Sequence, residues 1–518
     1  MTAVRGAASV GSGLAPAREA RLIRAGERIH VVGAAGAGAS AAALLAHWSG
    51  ALVSGCDPGG PSPYTPALDA AGIHLDWRHS ADHVTGGAAP DRLAVTKALT
   101  AVDPGNAELA AARASSVPLE PWQQVIADAA VGRTLVGVAG THGKSTTSGW
   151  LVHVLVEAAL DPCAFVGALM PPVLTGGLPS TARWGKGRTF VVEADEYAGN
   201  FDPYRPNVAI LTSVDWDHPD VFADRGAVVD CLVAWLQNAA TSVGRPTLVA
   251  NVADPGVAEV LGHLGDWPGD VVLVGLAETP GAAARSGAAS ASGSAAASGH
   301  FLHGTIVEAG RAGTTLLFEG SGLAKPLTAT LRLAGRHNAA NALCVAGAAL
   351  ALGVQPDAAT AALGSFTGVG RRLERKGEAR GVVVYDDYGH HPTAIRETLA
   401  ALRQLEPGRR VWAVYEPLTF HRTAALFDRF AEVLATADAV AIADIWAGRD
   451  PDTTITSAAA LAEAAARLRP GLTAVAPGSV EETAAWLASH VREGDAVLVM
   501  GGGRSYRIAD LLIQALAG

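Results

Sequence analysis

Short β-branched runs alternate along this chain with longer stretches in which apolar and small residues recur at helical spacing. Residues 29–32 form such a run and pass at once into a glycine turn and an alanine-rich segment, which predicts a strand, a tight turn and a helix. A second short strand at 52–53 ends in SGCD, and α/β patterning continues to about residue 132. The next strand, 134–138, runs into GTHGKSTT and the apolar helix GWLVHVLVEAAL. Strands at 189–192, 208–211, 247–250 and 271–274 follow with helical stretches between them, the pattern of a mostly parallel, doubly wound sheet. FLHGTIVEAG and GTTLLFEG alternate instead, and predict an antiparallel pair that closes a second unit near residue 334. Beyond it, the helix NAANALCVAGAALALG and strands within GVVVYDDYG, RVWAVYEP, AVAIADIW and DAVLVMGGG predict a third α/β unit.

The pattern therefore divides the 518 residues into a tail (1–26), a first domain (27–132), a second (133–334) and a third (335–518). The tail is rich in alanine and glycine without a leucine-type apolar core, so it reads as flexible rather than as a signal peptide. Residues 277–300 form a Gly/Ala/Ser tract with almost no large apolar side chain, expected as a mobile surface insertion because it cannot repay its ordering entropy. A hydrophobic content of 49% excludes a disordered chain, and a net charge of -10 excludes a global positive field for nucleic acid or an anionic membrane. No run has the length and hydrophobicity of a membrane span. Cys56, Cys163, Cys231 and Cys344 form no CxxC pair, so their spacing indicates neither a zinc site nor a disulfide framework, and a reducing, cytoplasmic setting fits best.

The chemistry concentrates after strands. Gly137, Gly140 and Gly143 precede Lys144, Ser145 and Thr146 between a strand and a helix, where backbone N–H groups can surround a phosphate, Lys144 can reach outer phosphates and Ser145 can present its hydroxyl to Mg2+. The spacing departs from the standard phosphate-loop pattern, since Val138 stands where glycine is required. Glu193, Asp195 and Glu196 end one strand and Asp215, Asp217 and His218 end another, so Glu193 and His218 are expected to converge on a metal near the loop. Arg371 and Arg372, in a glycine-flanked loop, suit an anionic phosphoryl group or, equally, a solvated basic patch. Asp386, Asp387, Tyr388, His390 and His391 place acid, aromatic ring and imidazole at another ligand-binding edge, one of the two histidines being structural. In the first domain, Gly33, Gly36, Gly38 and Ser40, with Asp57 some 20 residues on, approach a dinucleotide fingerprint without its GxGxxG spacing.

GVAGTHGKSTT, EADEY, DWDHPD, GRHNAANA, GVGRRLERKG, DDYGHHP and a terminal MGGG occur in an order that resembles the Mur ligases, ATP-dependent amino-acid ligases of peptidoglycan synthesis, over almost the whole chain. The resemblance implies a Rossmann-like N-terminal domain, a P-loop ATPase-like central domain and a Rossmann-like C-terminal domain. It implies that ATP is held by Gly140, Thr141, His142, Gly143, Lys144, Ser145 and Thr146, that Ser145, Glu193 and His218 arrange Mg2+, and that Asn338 and Asn341 lie by the nucleotide. Arg372, Asp386, Tyr388 and His390 would close over it, and Lys144, Glu193, His218, Arg372 and His390 would carry catalysis. Gly33, Gly36, Gly38, Ser40 and Asp57 would bind a UDP-sugar. The histidine of GTHGKS and the DDYGHHP segment resemble the branch that acts on UDP-N-acetylmuramate, which implies joining of L-alanine to its carboxylate through an acyl phosphate, by a monomer or weak homodimer. The alternatives are joining of a murein tripeptide in cell-wall recycling, a catalytically altered nucleotide-binding homologue and, last, an NAD-dependent enzyme built on the first glycine turn. The chain departs from the branch at Ala35, at Cys56, after Pro118, and at Leu418 in place of a histidine.

Overall fold

A computed structural model describes residues 10–87, 89–277, 300–448, 450 and 452–518. The expected mobile tract at 277–300 lies almost wholly outside the described residues, as do residues 1–9 of the tail.

The first domain is a five-stranded parallel sheet of β1 (Arg28–Val32), β2 (Leu52–Cys56), β3 (Leu75–Asp76), β4 (Arg92–Val95) and β5 (Leu119–Pro121), in the order β3-β2-β1-β4-β5. The order reverses at β1, which places the turn after it at a topological switch point. The helix Ala37–Trp48 packs its alanine face on the sheet, and its apolar cluster continues through Phe165, Phe190 and Trp235 into the second domain. The tail is tied down where it is described. Arg18 bridges Glu120 at 2.7 Å and Asp128 at 2.8 Å, and Ala15 N donates to the Leu119 carbonyl, so flexibility is corrected for residues 10–26.

The second domain is built on β6 (Thr134–Ala139), β7 (Cys163–Met170), β8 (Ser180–Arg183), β9 (Thr189–Glu193), β10 (Val208–Leu211), β11 (Thr247–Asn251) and β12 (Val271–Ala277), followed by β13 (His300–Gly310), β14 (Gly313–Gly320) and β15 (Leu327–Leu331). They form one ten-stranded sheet in the order β15-β14-β13-β12-β11-β10-β6-β9-β7-β8, parallel at its centre, with the expected antiparallel β13–β14 pair toward one end. The helix Lys144–Glu157 lies against one face.

The third sheet comprises β16 (Glu374–Ala379), β17 (Val382–Asp387), β18 (Arg410–Glu416), β19 (Ala439–Ala443), β20 (Thr473–Gly478) and β21 (Asp495–Gly501), in the order β16-β17-β21-β18-β19-β20. Only β16 is antiparallel: a polar edge strand, it takes its form from pairing with β17 rather than from its own pattern.

The boundary expected at residue 335 is displaced. The helices Arg336–Ala351 and Pro356–Ser365 bury Ala342, Leu343, Val345, Leu363 and Phe366 in the same cluster as Leu151, Val154 and Val249 of the second domain. Their packing therefore assigns them to the second domain, and the third begins near residue 370. Sequence periodicity marks a helix but not the sheet it covers.

Candidate active site

The second and third domains face one another across a cavity of about 1030 Å³, lined at the carboxyl ends of β6, β9 and β10 on one side and of β17 on the other. Its floor is the loop between β6 and the helix Lys144–Glu157. Gly140 (φ 123°) and Gly143 (φ 84°) hold left-handed conformations there, and a Cβ on either would come within 2.5 Å of Thr212 Oγ1 or Asn341 Oδ1 respectively. Thr141 N donates to the Ser213 carbonyl at 2.8 Å and His142 N to Ser213 Oγ at 3.0 Å, which sets the loop on the segment after β10. Thr141, His142, Gly143, Lys144 and Thr146 line the cavity, and Asn338 and Asn341 line it from the helix Arg336–Ala351, Asn341 Nδ2 donating to Asn338 Oδ1 at 3.3 Å.

Lys144 reads from the sequence as an exposed loop lysine, but its side chain is only 12% exposed; it bridges Glu196 at 2.8 Å and Asp195 at 3.4 Å. Burial opposes its charge, yet the Glu196 and Asp195 carboxylates outweigh that and raise the ammonium above its ordinary range, so it stays cationic. Beside it, Ser145 Oγ donates to Glu193 Oε1 at 3.0 Å, and Glu193 Oε2 accepts from Gly167 N at 2.6 Å.

The expected metal set is distributed over two groups. Ser145 and Glu193 pair directly, whereas His218 clusters with Asp195 and Glu196, whose ligand atoms lie within 4.8 Å of one another. His218 holds a left-handed backbone (φ 55°), its ring lies 4.7 Å from that of Tyr197, and Arg422 Nη2 meets its Nδ1 at 3.0 Å. Arg422 also bridges buried Asp217 at 2.8 Å; burial opposes ionisation of that carboxyl, but Arg422 holds it well below the usual range.

From the third domain, Arg372 Nη2 donates to Ser145 Oγ at 2.8 Å. The residues on either side, Arg371 (φ 59°) and Leu373 (φ 49°), are held in left-handed conformations by Arg371 N donating to Glu374 Oε2 and Leu373 N to Asp387 Oδ2, which aims the side chain between them at the phosphate loop. Arg372 Nε is buried without a hydrogen-bond partner among the described residues, a donor available to an anion. Its neighbour differs: Arg371 is locked to Asp386 at 3.1 Å, the Gly501 carbonyl and Ser505 Oγ. Asp386 is fully buried and does not line the cavity, which corrects its expected place at the nucleotide. It anchors Arg371, while Asp387, Tyr388, His390 and His391 are the residues of that strand end that reach the cavity. Burial and then Arg422 push His390 well below its ordinary range, so it is neutral; its Nδ1 contacts the Tyr388 carbonyl at 2.9 Å and must donate there, leaving the lone pair on Nε2. His142, lowered to about 3 by burial and then by His391, is neutral too.

The first-domain set does not join this cavity. Gly33 (φ 83°) makes the tight turn, and Gly38 has a packing role, since a Cβ there would meet the Trp122 ring at 2.2 Å. Ser40 is buried, bonded to the Ala37 carbonyl and to Thr181 Oγ1 of the second domain, so its hydroxyl is not presented to a ligand. Asp57 braces the turn by accepting from Ala35 N and Gly59 N. Gly36 is exposed at the turn's crest. Sequence reasoning singled out none of Arg225, Arg336, Arg396 and Arg429, four further cations on the cavity wall. Arg429 reaches Asp215 at 3.3 Å from a short amphipathic helix that reads as ordinary surface, and no local signal marked it.

Such an arrangement, a glycine loop that carries a lysine, a carboxylate group beside it and an arginine supplied by a facing domain, is that of the ATP-dependent enzymes whose nucleotide site lies between domains. Three family models match in succession: the Mur ligase family catalytic domain over residues 28–134, the Mur ligase middle domain over 138–349 and the Mur ligase glutamate ligase domain over 371–503. The chain belongs to the Mur ligase family. It is 34% identical to the UDP-N-acetylmuramate–L-alanine ligase of Roseiflexus sp. (strain RS-1), over 94% of this chain and 98% of that one, and 35% identical to that of Kineococcus radiotolerans, over 95% and 96%. Among solved structures, the UDP-N-acetylmuramate–alanine ligase MurC of Thermotoga maritima superposes with a TM-score of 0.72 at 24% identity, covering 94% of this chain and 98% of that one. The murein peptide ligase of Psychrobacter arcticus gives 0.68 at 22%, covering 95% and 99%. These two share the fold. Among the described residues, no helix is long and apolar enough to cross a membrane.

Proposed function

We propose that this chain is an ATP- and Mg2+-dependent ligase that joins L-alanine to the carboxylate of UDP-N-acetylmuramate. The observation that carries the proposal is the reach of Arg372 across the cavity to Ser145, which completes a cationic cradle with Lys144 around the place of a transferred phosphoryl group. A carboxylate oxygen of the acceptor attacks the terminal phosphorus, ADP leaves, and an acyl phosphate forms. The amine of alanine then attacks the acyl carbon, phosphate departs with the C–O bond's electrons, and an amide remains. We assign to His390, which lines the cavity and whose Nδ1 is engaged by the Tyr388 carbonyl, the role of taking through Nε2 the proton that the attacking amine gives up. The oxygen donors of Ser145 and Glu193 suit a hard divalent cation, and Asp195, Glu196 and His218 form a separate donor group. Bound Mg2+ supplies neutralisation of phosphate charge. Domain apposition excludes the water that would hydrolyse an acyl phosphate.

Phosphate release from ATP with UDP-N-acetylmuramate tests this, comparing L-alanine, glycine, L-serine and the tripeptide L-Ala-D-Glu-meso-diaminopimelate. Dependence on L-alanine is the expected result; dependence on the tripeptide transfers the enzyme to cell-wall recycling, and ATP binding without turnover with any of them refutes the ligase reading.

A further inference from the structure

Five titratable side chains converge beneath the glycine turn of the first domain, away from the cavity. His30 comes from β1, Cys56 from the end of β2, His79 and His83 from the segment after β3, and Glu108 from the first turn of the helix Ala107–Ala114. One ligand atom from each of His30, Cys56, His83 and Glu108 lies within 4.8 Å of all the others. Cys56 Sγ is 3.1 Å from both Glu108 carboxylate oxygens and 3.3 Å from His79 Nδ1, and His83 Nδ1 bonds Glu108 Oε1. Glu108 and Cys56 are fully buried.

Hydrogen bonding alone leaves this cluster incomplete. His30 is 3% exposed, and its Nε2, buried 4.0 Å from Glu108 Oε1, has no hydrogen-bond partner among the described residues. An orphaned imidazole nitrogen aimed at a buried carboxylate and thiol is a costly arrangement unless something binds there. The outer atoms of the same rings are already oriented: His30 Nδ1 contacts Ser54 Oγ at 2.9 Å and His83 Nε2 contacts Asp76 Oδ2 at 3.0 Å. Both rings thus turn their remaining nitrogens inward, as imidazoles do when a carboxylate or hydroxyl fixes the tautomer of a metal ligand. Nitrogen and sulfur donors at about 2.1 and 2.3 Å in a tetrahedron stand about 3.6 Å apart, a spacing this cluster accommodates.

We propose that His30, Cys56, His83 and Glu108 bind one divalent transition-metal ion of the zinc class. A mixed N, S and O donor set favours a borderline-soft ion over magnesium, which separates this site from the phosphate loop. Binding forms a metal–sulfur bond and breaks the Cys56 S–H bond, the proton leaving to solvent; burial and then Glu108 keep that thiol protonated in the absence of a cation. The ion would also stiffen the turn above it, because the Cys56 carbonyl accepts from Gly33 N at 2.9 Å and from Ala34 N at 3.0 Å. The absence of a CxxC pair argued against zinc in the sequence; here each ligand comes from a different element, and only the sheet brings them together.

The test is Co2+ titration of the full chain after chelator dialysis, with Mg2+ in excess to saturate the phosphate-loop site. One Co2+ per chain, with a thiolate-to-cobalt charge-transfer band in the near ultraviolet, is expected, together with its displacement by stoichiometric Zn2+. Cys56→Ser should abolish the band while Cys231→Ser, at a half-buried cysteine outside the cluster, retains it. No band in the wild-type protein overturns the proposal, and so does a band that survives in folded Cys56→Ser. If Cys56→Ser does not fold, the wild-type spectrum and His30→Gln decide: an unaltered Co2+ spectrum and affinity in the histidine variant overturns it equally.

Discussion

The Arg372 guanidinium, at the start of the third domain, donates to the hydroxyl of Ser145 on the second domain's phosphate loop at 2.8 Å. A contact between residues 227 positions apart joins the two halves of the cavity, and in the mechanism we propose it makes phosphoryl stabilisation depend on domain apposition. Arg372→Ala should lower kcat by about 10²- to 10³-fold, the usual effect of removing one preorganised charge-stabilising donor. The ATP concentration for half-saturation should change little, because the phosphate loop and the helix Arg336–Ala351 both belong to the second domain. Steady-state kinetics checks this; a parallel loss of ATP affinity would show that Arg372 contributes to ground-state binding instead.

Lys144→Ala should reduce phosphate release by at least about 10²-fold. It should also cost about 1–3 kcal/mol of stability, since Glu196, only 2% exposed, loses the cation that offsets its burial. Denaturant unfolding beside the phosphate assay separates the two effects. Unchanged stability would show that the carboxylates find water once the lysine is gone.

Gly38→Ala distinguishes packing from ligand binding in the first glycine turn. The added methyl would overlap the Trp122 ring, so a loss of about 1–3 kcal/mol is expected despite alanine's better helix propensity. Urea melts of the variant check it, and stability equal to or above wild type would show that Trp122 moves aside freely.

Acid stability should depend on Glu27. Its carboxyl is buried, which opposes ionisation, but Arg21, the Arg24 backbone N–H and Arg92 outweigh burial and lower it from 4.5 to about 2. A carboxyl with a depressed folded-state value contributes stability that is present above 4.5 and is lost as pH falls toward 2. At roughly 1.4 kcal/mol per pH unit this amounts to about 3 kcal/mol. Glu27→Gln should therefore be less stable than wild type at pH 7, and the difference should shrink between pH 4.5 and 2; a difference constant across that window would assign the loss to packing.

The strands were legible in the amino-acid order wherever a β-branched run sat between helical stretches, and the seven short strands expected through residue 274 all form. The glycine turn after β6 was legible for a related reason: a strand, three glycines, Lys144 and Ser145 are contiguous, so local backbone geometry sets the loop that we propose holds phosphate. Polar β16 was not legible, since an edge strand is defined by its partner, and neither was the assignment of the helix Arg336–Ala351 to the second domain.

Neighbouring residues of like type parted only in three dimensions. Arg371 and Arg372 are adjacent and chemically identical, yet one is locked to Asp386, Gly501 and Ser505 while the other reaches Ser145. Asp386 and Asp387 divide in the same way, because successive residues of a strand face opposite sides of the sheet. The four-ligand cluster of the first domain, spread over residues 30 to 108, was invisible for the same reason. Short-range order along the chain specifies hydrogen-bonded elements and the turns between them. Which side chains meet across a cavity or under a sheet depends on long-range packing, where one step along the backbone exchanges a buried ion pair for a hydrogen bond across the cavity.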